Sequence, residues 1–190
     1  HGTALYTNIK YPFKKNPPRV MDEPPARYTN RPAENRNPVG LYRRDFEVPQ
    51  NWGNGKVFVK FDGVASAFRI WLNGKEVGYS QDSRTPAVFD LSKYLRFGKN
   101  TIALQVYKYS DGSYFEDQDF WRLAGIFRDV TLYWTPEILV RDVFLKPALA
   151  NEYRDGRLDA EIVVENPTDM PRGFRLKGML YDGRKLLSVA

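Results

Sequence analysis

Short runs of β-branched and aromatic residues, each closed off within a few positions by turn-forming residues, are what most limits the folds open to this chain. Val57-Phe58-Val59-Lys60-Phe61, Phe68-Arg69-Ile70-Trp71-Leu72, Thr101-Ile102-Ala103-Leu104-Gln105-Val106-Tyr107 and Val130-Thr131-Leu132-Tyr133-Trp134 are brief and rich in side chains that suit a pleated surface. Such runs between turns predict an all-β sandwich. A hairpin is predicted where Asn73-Gly74 supplies two residues tolerant of positive φ between arms 68–72 and 75–79, as a type I′ turn requires.

Other stretches divide the chain. Residues 10–38 contain Pro12, Pro17, Pro18, Pro24, Pro25, Pro32 and Pro38, which remove donors and lock φ, so an extended surface arm is expected there. Asp90 ahead of Leu91-Ser92-Lys93-Tyr94-Leu95, with Gly98 beyond, predicts a single helical turn. After Pro136 the pattern restarts, with strands expected over 140–145, 158–165 and 175–181 and a turn at Asp182-Gly183. The expected organisation is a domain over 1–136 and a second over 137–190, the latter too short for the roughly seven strands of an immunoglobulin-like sandwich.

Composition removes several classes of chemistry. There is no Cys, and the single His is residue 1, which excludes disulfides, thiolate metal sites and a Ser-His-Asp triad. No apolar run approaches the roughly 18 residues of a membrane-spanning helix. The formal charge of +6 comes from 29 basic residues interleaved with 23 acidic ones, without the clustered face that nucleic acid requires. The densest basic region, residues 14–44, is also the most Pro-rich and reads as a solvated extended segment. The lack of an initiator Met or signal-peptide core, and an end at Leu186-Leu187-Ser188-Val189-Ala190 inside a strand pattern, read as those of a fragment.

One segment stands apart. Residues 110–122 gather the carboxylates of Asp111, Glu116, Asp117 and Asp119, the amide of Gln118 and four aromatics, directly after a predicted strand. Carboxylates accept hydrogen bonds from sugar hydroxyls and bind hard cations, and an aromatic face covers the apolar face of a pyranose. Residue types leave several readings open: turn caps paired with Arg84, Arg122 and Arg128, a glycosidase pair formed by Glu116 and Asp119, or a calcium loop, although the spacing of an EF-hand is lacking. Trp71 and Tyr79 form either a lectin-like platform or, as strand aromatics more often do, core or inter-domain packing.

Three stretches carry a resemblance. They are Tyr6-Thr7-Asn8-Ile9-Lys10-Tyr11-Pro12; Phe61-Asp62-Gly63-Val64 through Trp71-Leu72-Asn73-Gly74 and Gly78-Tyr79-Ser80-Gln81-Asp82-Ser83-Arg84 to Phe89-Asp90-Leu91-Ser92; and Ser110-Asp111-Gly112-Ser113-Tyr114 through Glu116-Asp117-Gln118-Asp119 to Trp121-Arg122 and Gly125-Ile126-Phe127-Arg128-Asp129-Val130. Over residues 5–145 the chain resembles the non-catalytic N-terminal region of β-galactosidases of glycoside hydrolase family 2. The remainder is similar to the start of that family's immunoglobulin-like second domain.

The resemblance implies a jelly-roll (galactose-binding-like) β-sandwich over 1–136, lacking its first strands, followed by a partial immunoglobulin-like β-sandwich. It implies that Asp119 binds a galactose hydroxyl and helps hold a sodium ion, and that Asn8 contacts galactose hydroxyls in the same pocket. It places the nucleophile, the general acid and the magnesium site on a downstream catalytic (β/α) barrel, so no catalytic residue is expected in this chain. The implied whole is a retaining β-galactosidase cleaving terminal non-reducing β-D-galactosyl residues. Its implied partners are a β-galactoside, the barrel of the same chain and further copies in a homo-oligomer. Two other classes compete: a stand-alone carbohydrate-binding or adhesion module, and a purely structural sandwich. Nothing in the residues specifies the compartment or the natural galactoside.

Overall fold

Alternation with a period of two places every second side chain of a strand on the same face of its sheet. In β2 (Lys56–Phe61) Val57, Val59 and Phe61 are buried and the residues between them half-buried. In β4 (Ala67–Leu72) Phe68, Ile70 and Leu72 are buried, while Arg69 and Trp71 face outward. The computed structural model describes residues 37–53, 55–119, 121–166 and 171–189. Of the arm expected over residues 10–38 only Asn37 and Pro38 are described; the rest of it, with Asn8 before it, lies outside the described residues.

The chain divides at Pro136 into two compact units. In the first, β1 (Val39–Glu47), β7 (Lys99–Tyr107), β4 and β5 (Lys75–Gln81) form one antiparallel sheet in the order β1-β7-β4-β5. A second antiparallel sheet has the order β6-β2-β9, with β6 spanning Ala87–Asp90 and β9 Val130–Thr135. A short ladder joins β3 (Val64–Ala65) to β8 (Gly125–Ile126). The chain is all-β, as its strand pattern predicts, and its only helical elements among the described residues are two single 3-10 turns.

The inner faces of the two sheets meet in one core. Phe61 of β2, Phe68 of β4 and Phe89 of β6 form a three-ring cluster with centroids 5.0 to 6.2 Å apart and tilted or edge-on planes, so rings from both sheets interlock. Full burial, as for Phe61 and Phe68, contributes about 1.5 to 3 kcal/mol per side chain, whereas Phe89 is half-buried. Gly78 of β5 lies against this cluster: a Cβ built there would stand 2.9 Å from Cε1 of Phe89.

The Asn73-Gly74 hairpin forms as predicted, with φ of 53° and 81° at the two turn residues and Leu72 opposite Lys75. A bulge between Ile70 and Trp71 shifts the register within it. The predicted helical turn is a 3-10 turn, Ser92–Tyr94, and Asp90 Oδ1 accepts from both N and Oγ of Ser92 at 2.9 and 2.6 Å.

In the second unit β10 (Leu139–Ala150) pairs with β11 (Asp155–Glu165), and β12 (Met179–Asp182) with β13 (Lys185–Val189). Two local expectations shift. Pairing begins only at Met179 rather than 175, and Asp182 pairs with Lys185, so the turn is Gly183-Arg184. No described side chain of this unit is buried, because the two ladders are separate two-stranded sheets without a shared core. No helix among the described residues is long and apolar enough to cross a membrane.

Candidate functional site

The acidic segment begins where β7 ends, and its first residues are held inside the protein. Lys108, Tyr109 and Ser110 are buried, Ser110 completely. Asn37 clamps the start of the loop: its Nδ2 donates to the carbonyl of Tyr109 at 3.1 Å, and its Oδ1 accepts from the amide of Tyr109 at 3.0 Å. The amide of Lys108 donates to the carbonyl of Pro38 at 3.0 Å. The chain then closes into a 3-10 turn, Asp111–Tyr114, where the amide of Ser110 donates to Oγ of Ser113 at 2.9 Å and the amide of Ser113 to the carbonyl of Ser110 at 3.0 Å.

Past this turn the carboxylates separate into different roles. Glu116 points back into the fold: Oε1 accepts from the amide of Ser83 at 3.0 Å and Oε2 from its hydroxyl at 2.5 Å. Asp117 forms an ion pair with Arg122 at 3.0 Å, and the Arg122 side chain is only 11% exposed. Gln118 and Asp119 are exposed, and the aromatics Phe115 and Trp121 are 90% and 54% exposed. The segment thus combines anchored carboxylates with a projecting stretch of carboxylate, amide and aromatic side chains. Asn8 lies outside the described residues, so the pairing of Asn8 with Asp119 implied by the resemblance is not described.

Ser83 is itself positioned by a turn. Oδ1 of Asp82 accepts from the amides of Arg84 and Thr85 at 3.0 and 3.2 Å, with Asp82 at a φ of 86°. Hydrogen bonds from the Thr85 side chain and the Arg84 amide hold the Asp82 carboxyl below the usual range of an aspartate. Arg84 and Arg128 flank the ring of Phe127, each 5.3 Å from its centroid. Nη1 of Arg128 donates to the carbonyls of Asp62 and Arg84 at 3.2 and 3.0 Å. Gly63 allows this packing, since a Cβ there would lie 2.7 Å from Cζ of Phe127.

A cleft of about 150 Å³ runs between these parts, lined by Ser83, Arg84, Lys108, Glu116, Asp117 and Trp121 among others. That is below the roughly 300 Å³ at which ligand pockets begin. Asp119 does not line the cleft.

Among the readings open at the level of residue types, the ion-pair reading holds for Asp117 with Arg122. The partner of Glu116 is a serine instead. Both carboxylate oxygens of Glu116 accept from Ser83, one from its amide and one from its hydroxyl. Among the described residues no group of three or more His, Cys, Asp or Glu side chains is placed to hold a metal ion. Trp71 and Tyr79 are not core residues. They lie on the outer face of the four-stranded sheet, and the Arg69 guanidinium sits 5.7 Å over the Tyr79 ring. Burial and the nearby charge of Asp111 raise the Tyr79 hydroxyl above its usual range, and its oxygen donates to Gln81 at 3.0 Å.

Asn37 and Ser83 are the positioning residues that sequence reasoning missed. The only local signal was Asp82 followed by Ser, Arg and Thr, a pattern that favours a side-chain-capped turn.

Comparison with known proteins connects this loop to a family. The sequence pattern described as "Glycosyl hydrolases family 2, sugar binding domain" matches residues 1–136. A beta-galactosidase of Pectobacterium atrosepticum is 43% identical over 188 residues, 98% of this chain and 17% of that protein. One from Yersinia pestis is 48% identical over 197 residues, 99% of this chain and 18% of that protein. The chain therefore spans less than a fifth of the length of these relatives. Among solved structures, Bacteroides uniformis beta-glucuronidase 2 superposes with a TM-score of 0.65 at 25% identity, covering 80% of this chain and 19% of that one. A beta-glycosidase from Bacteroides vulgatus shares the fold, with a TM-score of 0.62 at 24% identity over 80% of this chain and 19% of the other. With the sugar-binding pattern running over residues 1–136 and 43% and 48% identity along nearly the whole chain, this protein belongs to glycoside hydrolase family 2.

Proposed function

We propose that this chain is the sugar-binding, non-catalytic part of a retaining β-galactosidase that removes terminal non-reducing β-D-galactosyl residues. Residues 1–136 act as a sugar-binding jelly-roll domain, and residues 137–190 belong to an immunoglobulin-like second domain. The observation that carries this reading is identity of 43% and 48% along nearly the whole chain to two beta-galactosidases, combined with a loop that anchors Glu116 and Asp117 and leaves Asp119 exposed.

Asp119 is a binding residue. Its carboxylate accepts hydrogen bonds from a sugar hydroxyl and contributes an oxygen to a small cation, orienting the sugar without taking part in bond cleavage. By this reading the sodium ion is held by the Asp119 carboxylate together with neutral oxygens. When bound, sodium supplies fixed positive charge against which a sugar oxygen is oriented. Asn8 contributes an amide to the same sugar.

By this reading the domain contributes one side of a sugar pocket that the catalytic barrel completes. The nucleophile, the general acid and any magnesium site belong to a catalytic barrel in the parent, which assembles as a homo-oligomer. By this reading the 190-residue chain alone does not hydrolyse galactosides.

The test is nitrophenyl β-galactoside hydrolysis by the full-length parent, wild type against Asp119→Asn, in saturating sodium and with sodium replaced by a bulky cation. The expected result is a large loss of kcat/KM together with loss of sodium dependence. Unchanged kinetics would refute the role of Asp119.

A further inference from the structure

The Asn73-Gly74 turn holds a reactive pair of residues closed. Nδ2 of Asn73 donates to the carbonyl of Tyr94 at 3.0 Å and to Oδ1 of Asn100 at 2.8 Å, and Oδ1 of Asn73 accepts from the amide of Thr101 at 3.0 Å. Its own amide donates to the carbonyl of Thr101 at 2.9 Å. Asn100 is completely buried and fully engaged: Oδ1 also accepts from the amide of Arg96 at 2.8 Å, and Nδ2 donates to the carbonyls of Arg96 and Gly98 at 3.0 and 2.9 Å. The outer side of the turn is open, with no atom within 4 Å of a Cβ built at Gly74.

We infer that Asn73 is a deamidation site that the fold keeps shut and that becomes a one-way modification once this corner opens. Glycine lacks a Cβ, so its amide nitrogen is the least hindered neighbour an asparagine can have. Having lost its proton, the Gly74 nitrogen bonds to Cγ of Asn73. The Cγ–Nδ2 bond breaks, and ammonia leaves carrying that proton. Water then opens the cyclic imide at either carbonyl, leaving aspartate or isoaspartate, with no oxidation or reduction. Attack requires Cγ to swing onto the following nitrogen, and the three side-chain hydrogen bonds to Tyr94, Asn100 and Thr101 oppose that rotation.

The products do not fit the closed corner. An aspartate oxygen replaces the two N–H donors and faces the Tyr94 carbonyl and Asn100 Oδ1, which are both acceptors. Isoaspartate also lengthens the backbone by one carbon inside a two-residue turn. A chain that stays open long enough to react therefore cannot restore the corner. This inference is independent of the sugar-binding reading.

Peptide mapping by mass spectrometry tests it on the intact chain at mildly alkaline pH, folded and in concentrated urea, with Asn54-Gly55 in urea confirming that the chemistry proceeds. Conversion at Asn73 is expected to be at least about tenfold slower in the folded chain, because the reaction must wait for local opening. Asn100→Ala, checked for folding by near-ultraviolet circular dichroism, should bring the folded rate towards the urea rate. Asn73→Asp should unfold at lower urea than wild type. Equal rates for folded and unfolded wild type overturn the inference, as does an Asn73→Asp midpoint equal to that of wild type. If Asn100→Ala does not fold, the wild-type comparison decides alone.

Discussion

Ser83 and Glu116, 33 residues apart in the chain, are joined by two hydrogen bonds, one from the serine amide and one from its hydroxyl, to the two carboxylate oxygens. This link ties the acidic loop to the turn between β5 and β6, and it makes Glu116 the anchor of that loop. Hydrogen bonds to a charged acceptor are worth about 1.5 to 3 kcal/mol net when partly buried. The loop beyond Glu116 is held at this point while Asp119 projects from it.

The first prediction tests that link. In a double-mutant cycle of Ser83→Ala and Glu116→Ala followed by urea unfolding, the coupling energy should be about 1 to 3 kcal/mol. Additivity within about 0.3 kcal/mol would mean that the two residues stabilise the loop independently.

Asp82 predicts a pH dependence. Its carboxyl titrates below its usual value of 3.8 because the Thr85 side chain and the Arg84 amide bond to the charged form. A group whose folded pKa is depressed contributes stability above its unfolded pKa and loses it as pH falls through the folded pKa. The stability difference between wild type and Asp82→Ala should be full at neutral pH, persist to near pH 3.8 and vanish in stronger acid. Urea unfolding over a pH series measures it; a difference that grows in acid would reverse the assignment.

Gly78→Ala should destabilise the first unit by about 1 to 3 kcal/mol, because the added methyl meets the Phe89 ring at 2.9 Å and the ring is locked among Phe61 and Phe68. Adding Phe89→Leu should recover part of that loss. A fully additive double variant would show that the two sites do not share the strain.

Asn37→Ala should loosen the entry to the acidic loop, since it removes both side-chain bonds to Tyr109. Hydrogen exchange at the amides of Tyr109 and Ser110 is the direct measurement, with protection expected to fall at least about tenfold. Unaltered protection would show that the backbone contact of Lys108 with Pro38 suffices.

Some of this protein was legible from its residues alone. Alternation in Val57-Phe58-Val59-Lys60-Phe61 and Phe68-Arg69-Ile70-Trp71-Leu72 determined strands and their inner faces, because side-chain direction in a strand depends only on position along it. Asn73-Gly74 determined a hairpin, because positive φ at both positions is a local property of those two residues. The composition of segment 110–122 marked it as the unusual part of the chain. Tertiary structure decided what each acid in it does. Glu116 became an anchor and Asp117 an ion-pair partner because Ser83 and Arg122 were brought within 3.0 Å, whereas Asp119 was left exposed. Likewise, Trp71 and Tyr79 were strand aromatics by sequence, and only the stacking of one sheet face against the other put them outside the core. A carboxylate or an aromatic ring carries no record of its partner, since that partner is fixed by contacts between residues distant in the chain.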